Sequence, residues 1–255
     1  MSTVSTIFAY IDELAPFYLQ EKGDNAGLLI GNGAAPVSRA LLALDADRAV
    51  AEEATRLNCQ LVITHHPIIY RPLTAVDWHS PVGRLVGANI AVISAHTNLD
   101  IAPFGVNTFL SELFGLRDQI LLEPTGDYRG KPVGLGVVGD LPHPLSEAEL
   151  FAQVKEQLRK DTLTVYASGR EIRRLAVCGG AGGHNVTRAA ALGADAYLTG
   201  DVKHRDFIEA KRLGITLMDG GHFETERVIL PPLKARLDCR FPQVEFMLAS
   251  EDGPS

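Results

Sequence analysis

Apolar positions along this chain follow two alternating rhythms. Short continuous runs such as Leu61-Val62-Ile63 and Ala196-Tyr197-Leu198 read as buried strands. Between them lie stretches with apolar residues three or four apart, as at Ile7, Tyr10, Ile11 and Leu14, which read as amphipathic helices. The pattern predicts strands near 40–44, 61–64, 90–94, 133–138, 163–167, 173–178, 196–199, 215–218 and 243–248. It predicts helices near 4–15, 48–58, 81–88, 105–114, 146–159, 184–193, 203–213 and 223–237. Local punctuation agrees with several of these ends. Ser146 with Glu149 has the form of a capping box, Ser80-Pro81 that of an N-cap followed by proline, and Gly214 that of a helix stop. Pro231-Pro232 is expected to break or kink the last helix.

Strands alternating with helices predict an α/β fold with mixed or mostly parallel sheets. A weak internal repeat refines this. Leu41 to Thr64 reads strand, helix, strand, and Leu175 to Thr199 repeats that order around a glycine-rich loop. Ile90 to His96 and Ile215 to His222 then match in style. Two related α/β halves are therefore expected. Pro124, Gly126, Gly130 and Pro132 suggest the boundary between them. Because the polar cluster near 222–226 ought to join that at 65–100, the expected domains are 1–125 plus 220–255, and 126–219.

Composition narrows the class. The 255 residues are 46% hydrophobic and 22% charged, ordinary for a globular protein. A net charge of −7 disfavours general nucleic-acid binding. Cys59, Cys178 and Cys239 are widely spaced and offer neither a disulfide framework nor a CxxC motif. The absence of a signal-like N-terminus or an apolar span leads to the expectation of a cytoplasmic protein with no membrane partner.

The chemistry concentrates at three strand ends. His65-His66-Pro67 follows one apolar run, His96-Thr97-Asn98-Leu99-Asp100 another, and His222-Phe223-Glu224-Thr225-Glu226 a third. Ligands of open α/β sheets bind outside the carboxyl ends of strands. On a helix, His222 and Glu226 share one face. His65, His66, Asp100, His222 and Glu226 form a nitrogen and oxygen donor set without cysteine, which suits Zn, Fe, Mn or Co. Five donors exceed the needs of one open catalytic ion, so a dinuclear centre is expected. Adjacent strand residues point to opposite faces, so His65 and His66 can serve one centre only where the strand ends and the chain bends before Pro67.

Thr64-His65-His66-Pro67, His96-Thr97-Asn98-Leu99-Asp100 and Asp219-Gly220-Gly221-His222-Phe223-Glu224-Thr225-Glu226, in this order, resemble the NIF3-like family, also labelled GTP cyclohydrolase I type 2 homologues. Asp24-Asn25-Ala26-Gly27-Leu28, Gly179 to Gly183 and Thr199-Gly200-Asp201 extend the resemblance over essentially the whole chain. It departs at Gly23, where an aromatic residue is usual, and at His184. The resemblance implies a compact NIF3-like fold with two divalent ions per subunit. His66 and Asp100 would hold one ion, His65 and His222 the other, and Glu226 would bridge them. It places His96 nearby as a proton-transfer group. It further implies a toroidal homohexamer, a trimer of dimers, acting on a small-molecule substrate such as a nucleotide. The expected activity is metal-dependent hydrolysis, either GTP cyclohydrolase-like or of a nucleotide or phosphoester. The alternative from another class is a metal-handling or scaffold protein with little turnover.

Other residues carry weaker signals. Asp24 and Asn25 suit a turn or a brace for the site. The glycines at 179–183 suit a tight turn, or backbone amides around an anion. Asp201, Lys203 and His204 could line a cleft in the second half. Trp78 suits an interface, and His79 and His143 have no assigned role.

Overall fold

The computed structural model describes residues 2–250. The chain forms two compact units. One comprises the chain up to Ala102 and again from Leu230; the other is Pro103–Ile229.

In the first unit, α1 (Val4–Leu14) starts at a capping box between Thr3 and Thr6 and buries Ile7 and Ile11 one turn apart. It is followed by β1 (Gly27–Ile30), β2 (Arg39–Ala43), α2 (Arg48–Arg56), β3 (Leu61–Thr64), α3 (Pro81–Gly87), β4 (Ala91–Ser94) and α4 (Thr97–Ile101). The second unit contains α5 (Val106–Glu112), β5 (Arg117–Tyr128), β6 (Lys131–Leu145), α6 (Glu147–Leu158), β7 (Thr164–Tyr166) and β8 (Ile172–Val177). It continues with α7 (Val186–Ala191), β9 (Ala196–Thr199), α8 (His204–Leu213), β10 (Thr216–Asp219) and α9 (His222–Glu226). The chain then re-enters the first unit as α10 (Leu230–Arg240) and β11 (Glu245–Leu248).

The first sheet has the order β1-β4-β3-β2-β11, and the second β5-β6-β8-β9-β10-β7. At the centre of each, three parallel strands are joined through helices: β2-β3-β4 and β8-β9-β10. An antiparallel strand closes each trio, β1 against β4 and β7 against β10. The fold is thus α/β with two related halves, and the repeat runs further upstream than the sequence pattern shows. Helix, antiparallel strand and parallel trio recur as α1-β1 and α6-β7 before the trios.

Burial on both faces explains the continuous apolar runs. In the first sheet, Leu41, Ala43, Val62 and Val92 join Val50, Ala54 and Leu85 in one core. In the second, Leu175, Val177, Leu198 and Met218 face a core with Leu150 and Val154. Their neighbours Ala176, Tyr197 and Leu217 face another with Val186 and Ala210.

Several sequence expectations shift. The unit boundaries lie at Ala102 and Ile229, so residues 103–125 and 220–229 belong to the second unit rather than the first. The reason is pairing: β5 forms a long antiparallel ladder with β6, and Thr225 of α9 accepts a hydrogen bond from the Gly180 amide. The predicted helix at 223–237 is two helices, with a 3-10 turn at Arg227–Ile229 between them. The break precedes the prolines. Pro231 and Pro232 occupy the first turn of α10, where a missing amide hydrogen costs little. β1, β5 and α4 were not evident in the apolar pattern. Among the described residues, no helix is long and apolar enough to cross a membrane.

Candidate metal centre

The first unit gathers His65, His66, His96 and Asp100 beyond the carboxyl ends of β3 and β4. The ladder leads directly into them, because the His65 amide donates to Ala43 O and that of His66 to Leu44 O. Thr64 donates its hydroxyl to His66 O at 2.8 Å and lies 2.7 Å from Ser94 Oγ, fixing the bend at the strand end. The two adjacent rings consequently approach each other, with centroids 5.0 Å apart. The His96 ring lies 5.3 Å from that of His65 and 5.5 Å from that of His66. One ring nitrogen from each of the three lies within 4.8 Å of the others.

Each ring is held through Nδ1. His65 Nδ1 is 2.8 Å from Ala95 O, and since a carbonyl can only accept, Nδ1 carries the hydrogen. His66 Nδ1 lies 2.9 Å from Asp45 Oδ1 and His96 Nδ1 2.7 Å from Asp24 Oδ1. A neutral imidazole whose Nδ1 carries the hydrogen directs its lone pair through Nε2. His65 is fully buried, and its Nε2 faces Asp100 Oδ1 at 3.6 Å. A lone pair set against a buried carboxylate oxygen is the arrangement a cation resolves. Anchoring the second ring nitrogen to an oxygen is how metal-ligating imidazoles are oriented.

The second unit builds an equivalent pair. The helical spacing of α9 puts His222 Nε2 3.1 Å from Glu226 Oε2, while Nδ1 lies 2.9 Å from Asp201 Oδ2. The hydrogen bond to Glu226 pushes the His222 pKa up to about 9 against the opposing effect of burial; the Glu226 charge and Asp201 add to the rise. His222 thus lies between two carboxylates, both of which favour its charged form. Glu226 is itself buried.

The glycine-rich loop serves this pair. A Cβ at Gly180 would overlap Glu226 Oε1, and Gly180 has φ +65°. Its amides are spent within the unit: Gly179 donates to Asn107 Oδ1 at 2.9 Å, Gly180 to Thr225 Oγ1 at 3.0 Å and Gly182 to Thr199 Oγ1 at 3.0 Å. The loop is a tight turn, and these three amides do not form an anion cradle.

The sequence-predicted residues therefore divide by unit, with His65, His66, His96 and Asp100 in one and His222 and Glu226 in the other. Of the weaker candidates, Asp201 orients His222. Lys203 instead precedes α8, its amide on Asp206, and His204 is exposed. His79, His143, His184 and Trp78 are also exposed. Asp45 escaped sequence reasoning altogether. Its only signal is position, two residues beyond β2 at the same sheet end as the histidines. Asp24 is buried beside His96 and Thr97. Desolvation would raise its pKa, but hydrogen bonds from His96 and Thr97, the His96 charge and the Asn25 amide together lower it to about 2.

Comparison with known proteins covers the whole chain. The family model Duf34/NIF3 (NGG1p interacting factor 3) matches residues 2–254. A Clostridium perfringens protein named GTP cyclohydrolase 1 type 2 homolog is 30% identical over 257 residues, covering 97% of this chain and 96% of that relative. The structure of reduced HcgD from Methanocaldococcus jannaschii superposes with a TM-score of 0.84 at 30% identity, covering 98% of both chains. A Bacillus cereus protein related to NIF3 superposes with a TM-score of 0.89 at 23% identity, covering 100% of this chain and 98% of that one, a likeness of fold.

Proposed function

The chain belongs to the Duf34/NIF3 family, and on that premise we propose that it is a hydrolase using two divalent ions held by His65, His66, Asp100, His222 and Glu226. His66 and Asp100 would hold one ion and His65 and His222 the other, with Glu226 as a further carboxylate ligand. The observation that carries this reading is the common arrangement of the imidazoles, each with Nδ1 set against an oxygen, so that Nε2 is the nitrogen that would ligate. Buried Asp100 and Glu226 supply the anionic oxygens such ions require. When bound, two such ions lower the pKa of water and clamp a phosphoryl or carbonyl oxygen.

His96 is the proton-transfer group. Its Nε2 takes a proton from the attacking water, and the resulting imidazolium lies beside the Asp24 carboxylate. The substrate class is a nucleotide or related phosphoester, with cyclohydrolase-like ring opening the second chemistry open to such a site. The assembly belonging to this reading is a toroidal homohexamer in the cytoplasm, where the buried thiols Cys59 and Cys178 persist reduced.

The test is a screen of zinc-, manganese-, iron- and cobalt-loaded protein against nucleotides, GTP and p-nitrophenyl phosphate. Turnover that needs metal and falls in His65→Ala and His96→Gln supports hydrolysis. Stable metal binding without turnover on any of these would assign the protein to metal handling instead.

A further inference from the structure

We propose that Asp24 is a positioning residue for His96, fixing its imidazole as the Nδ1–H tautomer so that Nε2 presents the lone pair. The catalytic use of that lone pair rests on the proposed hydrolysis; the tautomer itself does not. The inference comes from counting donors around one carboxylate. Asp24 Oδ1 accepts the Asn25 amide at 2.7 Å and meets His96 Nδ1 at 2.7 Å. Oδ2 accepts the Thr97 amide at 3.2 Å and the Thr97 hydroxyl. Backbone amides can only donate, so both oxygens are committed as acceptors. The Thr97 hydroxyl receives the Glu21 amide at 2.9 Å, which directs its own hydrogen toward Asp24. His96 Nδ1 fits this shell only as a third kind of donor.

The chain that follows Asp24 is also anchored. Asn25 donates its side-chain amide to Ile69 O, and the Ala26 amide donates to Gln20 Oε1 at 3.0 Å. The Asp24 side chain is 3% exposed, so water does not substitute for these partners. A buried, immobile acceptor selects one tautomer of a neighbouring imidazole, as a catalytic-triad aspartate does. In the proposed reaction, water gives its proton to Nε2, and the positive charge that appears on the ring is stabilised by Asp24 through Nδ1–H.

The test is long-range 1H–15N NMR of the full-length chain, 15N-labelled at histidine and stripped with chelator, at about pH 8, above the ordinary imidazole range. His96 is assigned by the signal lost in His96→Gln. Wild type should show His96 almost wholly as Nδ1–H. Asp24→Ala removes the acceptor, and the Nδ1–H form should fall to a minority. Asp24→Asn keeps one oxygen, which the close Asn25 amide directs to the place of Oδ1, so it should restore Nδ1–H. Metal content per chain should match wild type in both Asp24 variants, since neither removes a proposed ligand. A wild-type His96 in the Nε2–H form, or Nδ1–H retained in Asp24→Ala, would overturn the proposal. Should Asp24→Ala not fold, the wild-type spectrum and Asp24→Asn decide. Because the spectra are taken without metal or substrate, failure of the hydrolase reading leaves the tautomer result standing.

Discussion

His65, His66, His96 and His222 each set Nδ1 against an oxygen: a carbonyl for the first and the carboxylates of Asp45, Asp24 and Asp201 for the others. That arrangement suits the ligand and base roles proposed for them, and it yields two expectations at the residue scale. His96→Gln should keep wild-type metal content while turnover falls by about 10²–10⁴, the usual contribution of a positioned proton-transfer group; metal analysis beside steady-state kinetics checks both halves. Asp24 offers a pH test. Its folded pKa is lowered from 3.8 to about 2, so its stabilisation is fully present above the unfolded value and is lost as pH falls through the folded one. Asp24→Asn should cost about 2 kcal/mol at pH 7, a gap that closes between about pH 4 and pH 2; urea unfolding across that range measures it. The imidazoles themselves were legible in the sequence because strand ends announce them. Their acceptors were not: Asp24 lies 72 residues from His96, and no local pattern links the two.

At the scale of elements, the glycine-rich loop after β8 is shaped by a carboxylate from α9 rather than by a phosphate. Gly180→Ala should lower stability by about 1–3 kcal/mol, since a methyl group meets Glu226 Oε1 at a positive φ, and should weaken metal uptake as well. Gly169→Ala is the control. It has φ +78° with nothing within 4 Å of its Cβ, so it should show only the backbone cost and leave metal uptake intact. Denaturant midpoints and metal titrations of the two variants separate strain from site damage. The parallel trios were legible because burial on both faces makes continuous apolar runs. The missed elements lack that signature. β5 is an edge strand whose residues from Arg117 to Ile120 are all exposed and in which only Leu122 is buried, so neither alternation nor a continuous run appears. β1 has four residues bounded by Gly27 and Gly31, and α4 has five.

Across the whole molecule, the sequence repeat foretold two related α/β halves but placed their boundaries wrongly. The error came from assuming that residues with shared chemistry belong to one unit: His222 and Glu226 lie in the second unit and His65, His66 and Asp100 in the first. Substitution of a proposed ligand in either unit should lower metal content. Light scattering on the 27.5 kDa chain tests the proposed assembly, with a hexamer expected and a monomer contradicting it. The most direct measurement is metal content per chain by plasma emission, on protein purified without added metal or chelator, with His65→Ala from the first unit and Glu226→Ala from the second alongside. Close to two ions per wild-type chain, falling in both variants, is the expected result. A wild-type protein that carries no metal and takes up none from zinc, manganese or iron would contradict the metal centre and leave the family relationship as a statement about fold.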